Sequence, residues 1–151
     1  MAAFSDYLEN KLIDQIFRGQ AYSFPGTLYF GLLTAAPSDT GGGTEVSGGS
    51  YARVSVTASM ANFAGTQAAG STTASSGTSG TTSNNNNITF PSPTGSWGVV
   101  SYVGVYDAST SGNLLAYGAL TTPKTVNSGD APPRSEEHTS ELQSLRHLVC
   151  R

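Results

Sequence analysis

The carboxylates Asp39, Glu45, Asp107 and Asp130 and the aromatic residues Trp97, Tyr102, Tyr106 and Tyr117 are the side chains of this sequence whose types support chemistry or recognition. Two carboxyl groups held about 5 to 10 Å apart in a cleft cleave glycosidic bonds without histidine, and flat aromatic rings stack on sugars. Nothing in the spacing of these acids brings any pair of them together. Asp107 has Ser109, Thr110 and Asn113 close behind it, a set of oxygens that suits a calcium ion and that a turn uses far more often. Gly41-Gly42-Gly43 and Gly48-Gly49 share only composition with a phosphate-cradling loop: no Gly-Lys-Ser/Thr follows and no helical pattern begins there. They are expected to be flexible surface loops. Asn87-Ile88-Thr89 fits a glycosylation acceptor, a pattern common by chance, and is read instead as the start of a strand.

Both histidines and the only cysteine, His138, His147 and Cys150, lie beyond Pro133. The chain up to Pro133 therefore lacks the commonest general base and metal ligand, and also the usual alternative nucleophile. Catalytic triads, zinc sites and disulfides are excluded there. No catalytic, cofactor-binding or metal-binding residue is nominated, no cofactor is expected, and the chain is not expected to be an enzyme. Its bases up to that point, Lys11, Arg18, Arg53 and Lys124, are scattered and outnumbered four to seven by acids, a net charge of −3. That distribution lacks the basic footprint of a nucleic-acid binder. No apolar run is long enough to span a membrane, and the N-terminus has no secretory pattern, so neither membrane insertion nor export is expected.

Composition changes abruptly at Arg134. Gly, Ser, Thr and Ala dominate before it, whereas residues 134–151 hold six charged residues and both histidines. Residues 134–144, RSEEHTSELQS, resemble the reading-frame translation of a widely used sequencing-library adapter. That resemblance implies a segment never selected to fold, with 145–151 as read-through, to be set aside in fold reasoning. The competing reading is a natural amphipathic helix, since Leu142, Leu145 and Leu148 recur at helical spacing. The expected organisation is one domain over 1–133 and a non-native tail over 134–151.

The domain must be built from a small set of elements. Ser5 is placed to cap a helix that puts Leu8, Leu12 and Ile16 on one stripe, with Ile13 and Phe17 beside it, and Gly19 supplies a stop. Asp6 and Glu9 fall early, where the helix dipole favours acids. Thr27 to Thr34 reads as a buried strand, and Ala52, Val54 and Val56 alternate with Arg53, Ser55 and Thr57 as a half-exposed one. Residues 65–87 are nearly all small and polar, cannot bury enough apolar area to offset their ordering entropy, and are expected to be mobile and free of regular structure. Ile88 and Phe90 mark a short strand. Val99–Tyr106 and Leu114–Leu120 form a hairpin across 107–113, with Val99, Val103 and Val105 on one face and Tyr102 and Tyr106 on the other; the first strand is expected to be central. The fold class is mainly β: a small sandwich or jelly-roll-like domain with one N-terminal amphipathic helix.

The blocks FSDYLENKLIDQIF, TLYFGLLTAAP, YARVSV and ITFPSPTGSWGVVSYVGVYDASTSGNLLAYGALTTPKTVNSGD, between residues 4 and 130, resemble a family of tailed-phage tail fibre proteins. The stretch Trp97 to Leu120 is also similar to N-terminal modules of tail-collar and baseplate fibre proteins. The resemblance implies a virion component of a phage tail, assembled in the bacterial host cytoplasm, that acts by self-association and docking on other tail proteins. It also implies at least one further apolar, alternating strand beyond the Ser-Gly-Asp and proline region, where this sequence departs from the pattern. A domain lacking its last strand would leave ladder groups unpaired, so the chain is expected to be unstable or aggregation-prone. The surfaces expected to carry assembly, as a homo-oligomer among other contacts, are Leu8, Leu12 and Ile16 on the helix and Tyr102 and Tyr106 on the strand. The rival function is recognition of host-surface saccharide, with Trp97 and Tyr117 as contacts. A buried Trp97 beside an exposed helix stripe favours assembly; a clustered aromatic patch next to the 65–87 loop favours recognition.

Overall fold

The computed structural model describes residues 2–135; the leucines of the alternative tail helix, together with His138, His147 and Cys150, lie outside the described residues. The fold is mainly β with an N-terminal helix. Helix α1 (Asp6–Phe17) begins at Ser5, whose hydroxyl accepts from the Leu8 amide at 3.3 Å. The same hydroxyl donates to the Leu114 carbonyl, and the Ser5 amide donates to the Leu115 carbonyl at 3.0 Å. One buried serine thus starts the helix and ties it to the sheet.

Six strands form one sheet: β1 (Ala2–Phe4), β2 (Thr27–Ala35), β3 (Thr44–Glu45), β4 (Val54–Thr57), β6 (Gly98–Tyr106) and β7 (Leu114–Val126). Every pairing is antiparallel, in the order β1-β7-β6-β2-β3, with β4 also on β2. The strand beginning near Val99 is central, as its two bulky faces predict. A separate pair, β5 (Ile88–Thr89) with β8 (Arg134–Ser135), makes the second sheet, and among the described residues no second sheet of sandwich size forms.

Register assigns each face. Phe30 lies opposite Val105, which lies opposite Ala116, and Leu32 lies opposite Val103. These residues share one buried cluster with Val46, Val100, Leu120 and Val126, closed by Ile88, Phe90 and Trp97. The expected grouping of Val99 with Val103 and Val105 is corrected. A register shift between Val100 and Tyr102 breaks the alternation, so Val100 is 2 % exposed in the core while Val99 is 50 % exposed. An extra residue in one strand reverses the facing of everything on its far side.

The segment 65–87 carries no helix or strand, as its composition predicts. It is nonetheless tied at both ends, through a bridge between Phe63 and Asn84 and a bond from the Asn85 amide to the Asn62 carbonyl at 2.8 Å. Gly48-Gly49 is not a flexible spacer. Gly49 has φ +54, its carbonyl receives the Trp97 Nε1–H at 2.9 Å, and a Cβ there would stand 2.9 Å from that nitrogen.

Candidate functional site

On the face opposite the main core, Gly31 lies opposite Gly104. Two adjacent glycines leave a trough in a surface otherwise studded with side chains. The Tyr106 ring lies in it: a Cβ on Gly104 would come within 2.8 Å of Tyr106 Cε2, and one on Gly31 within 3.0 Å of the same atom. The Arg53 guanidinium stacks over this ring at 3.5 Å from its centroid. Its Nε and Nη2 donate to the two Glu45 oxygens at 2.8 and 2.7 Å, while Nη1 donates to the carbonyls of Ala108 and Ser111. The Tyr51 hydroxyl donates to Glu45 at 2.9 Å and accepts from the Leu32 amide at 2.8 Å. Burial raises the Tyr51 and Tyr106 phenols above their ordinary range, and the Glu45 charge adds to both.

This cluster joins β2, β3, β6, the segment just before β4 and the 107–113 hairpin loop, and sequence reasoning missed it. Arg53 is not a solvent-facing residue of an alternating strand, because its side chain is 7 % exposed. Tyr106, expected on an assembly surface, is 7 % exposed beneath Arg53, and Tyr102 is half-buried. A cation over an aromatic ring, with a bidentate carboxylate and two carbonyls, gives four of the five guanidinium protons a partner. No local signal in the sequence marks it, since its partners meet only through the pairing of strands.

Each candidate acid is engaged with a partner of its own. Asp39 accepts from the Tyr117 hydroxyl, and that bond, helped by burial, pushes Tyr117 up to about 12. Glu45 belongs to Arg53. Asp107 accepts from the amide and the side-chain NH₂ of Asn113, both at 2.7 Å, and so closes the hairpin loop. Asp130 accepts from the Asn127 amide at 2.7 Å. Trp97, offered as a saccharide contact, is 4 % exposed, edge-on to Tyr51 at 5.4 Å.

The helix presents the remaining surface. Leu8 and Leu12 are half-buried where α1 packs along β7. Ile13, Ile16 and Phe17 are 49, 66 and 80 % exposed, and together they form an apolar face at the C-terminal end of the helix. The chain then turns back along the helix: the Tyr22 amide donates to Gln15 Oε1 at 2.6 Å, and Tyr22 sits edge-on to Tyr7. Among the described residues no helix is long and apolar enough to cross a membrane.

A family model described as podophage GP4 fiber I protein gp80 matches residues 3–140. The match covers most of the sequence, and the chain belongs to this family of phage fibre proteins. No curated protein matches it.

Proposed function

We propose that this member of the podophage fibre family is a tail structural protein that works by assembly and docking, without catalysing a reaction, and that the exposed end of α1 is its assembly surface. The observation that carries the reading is the pairing of a buried Trp97 with an exposed Ile13, Ile16 and Phe17. Contiguous exposed apolar side chains mark association surfaces, and here they stand on a rigid, capped element. The partner is another copy of the chain or a neighbouring tail protein, in the virion, after assembly in the host cytoplasm.

Sedimentation velocity tests it on the full chain and on the double variant Ile16→Glu, Phe17→Glu. The expected result is a concentration-dependent oligomer for the unchanged chain and a monomer with unaltered melting for the variant. A monomeric unchanged chain that also fails to bind any purified tail protein of the same virion overturns the proposal, as does a variant that still self-associates.

The same reading holds residues 1–133 to be the fibre domain and 134–151 to be foreign to it. Support comes from the abrupt change in composition at Arg134. Against it weigh a family match that continues to residue 140 and the pairing of Arg134 and Ser135 with β5. Backbone ladders form with little regard to side-chain type, so a short foreign segment can occupy such an edge. Sequencing the coding DNA from an independent library decides the matter: an alternating apolar strand after Pro133 supports the boundary, and the same eighteen residues (134–151) again would remove it.

A further inference from the structure

Most charges of the domain are matched within it. Among the described residues up to Pro133, Lys11 lies over the Tyr7 ring, Arg18 pairs with Asp14 and Arg53 pairs with Glu45. Lys124 is the one base there with no such contact, and it stands exposed on β7. Asp39, Asp107 and Asp130 are each held by hydrogen bonds. The carboxylates there with neither an ion pair nor a hydrogen bond are Asp6 and Glu9, in the first turn of α1. Asp6, Glu9, Ile13, Ile16 and Phe17 recur at helical spacing, so α1 turns outward a face that is acidic at its start and apolar at its end. Lys124 also has exposed apolar neighbours. It lies opposite Val100, on the rung next to Val99 and Thr125, and Val99 is 50 % exposed. Ala119 and the run Thr121 to Thr125, which includes Pro123, are exposed as well. β1 covers β7 only from Ala116 to Gly118. Past it, between the rungs at Ala119 and Lys124, Leu120 to Pro123 stand opposite Ser101 alone. A wide bulge holding a proline has no regular ladder for an incoming strand, whereas a helix covers such an edge through side chains.

Resting on the assembly role of α1 put forward above, we propose that α1 of one copy docks on the uncovered part of β7 in the next copy. Ile13, Ile16 and Phe17 then lie against Val99, Ala119 and Pro123, and Asp6 and Glu9 face Lys124. A second copy is the occupant because the unmatched charges are of opposite sign and each lies beside exposed apolar groups, so the chain carries both halves of one contact. The halves lie on different elements, which makes the contact heterologous, and its repetition closes a ring or runs on along an axis. Two α1 faces laid on each other would instead set like acids together when parallel, and would bury carboxylates against isoleucines in full antiparallel overlap.

Sedimentation velocity on full chains tests the docking. Lys124→Glu, a change at an exposed position, is expected to leave melting unaltered and to weaken self-association about tenfold, by setting a third carboxylate against Asp6 and Glu9. A mixture of Lys124→Glu with the double variant Ile16→Glu, Phe17→Glu then holds one intact helix face and one intact β7 surface. At a concentration where each variant alone is monomeric, the mixture is expected to form a one-to-one heterodimer that grows no further. A Lys124→Glu chain that associates as tightly as the unchanged one, beside a monomeric helix variant, overturns this docking and leaves the assembly role of α1 standing. A mixture that stays monomeric overturns it too, as does an unchanged chain that is itself monomeric. A helix variant that still self-associates removes the assembly role and this docking together.

Discussion

Removing the Arg53 guanidinium would strand the Glu45 carboxylate, leave the Ala108 and Ser111 carbonyls without their donor, and uncover the Tyr106 ring. Truncating one partner of a buried pair costs several kcal/mol because the other charge is left behind. The Glu45 side chain retains 27 % exposure, which moderates the loss. Arg53→Ala is therefore expected to lower stability by about 3 kcal/mol, read as the shift in urea midpoint at constant slope. Lysine keeps the charge but loses the planar fork, so Arg53→Lys should recover less than half of that loss. Full recovery by lysine would show that charge alone matters there and that the stacking and the two carbonyl contacts are incidental. None of this was legible in the sequence. Alternation put Arg53 on a solvent face, and only pairing of both β3 and β4 with β2 brings Glu45 beneath it.

The helix was legible almost residue by residue, because its signals are local: a cap, early acids, a stripe and a terminal glycine. What the sequence did not show is that its cap is also a tertiary anchor. Ser5 is 1 % exposed and gives its proton to the Leu114 carbonyl while accepting from the Leu8 amide. Ser5→Ala should cost about 1 kcal/mol for the cap and about 1 more for the carbonyl left unpaired. Aspartate separates the two roles, for it caps well but cannot donate when ionised. If Ser5 were only a cap, Ser5→Asp would match the unchanged protein in its urea midpoint. The anchor reading expects Ser5→Asp to be no better than Ser5→Ala, and Ser5→Thr to retain most of the stability. The strands were legible in position but not wholly in facing. The bulge that turns Val99 outward and Val100 inward has no local sequence signal, because it is set by how β6 meets β7.

At the scale of the whole molecule, several tyrosines are held by long-range contacts that no local pattern reveals, and their chemistry couples the fold to alkaline pH. Burial, with the Glu45 charge, raises Tyr51 and Tyr106, and the hydrogen bond to Asp39 carries Tyr117 from 10.0 to about 12. A phenol whose folded pKa exceeds its unfolded value keeps its proton where the unfolded chain has already lost it. The folded state then binds more protons, and stability falls with rising pH. The contribution is intact below pH 10 and is lost as pH climbs from there toward 12. The urea midpoint should accordingly be flat approaching pH 10 and decline above it, in step with tyrosinate absorbance of the unfolded chain. Tyr117→Phe removes one of these groups along with its bond to Asp39, so the variant starts lower but declines less steeply. An equally steep decline in that variant would mean that Tyr117 titrates alike in both states, and that the link between the hairpin strand β7 and the turn at Asp39 stores no pH-dependent stability.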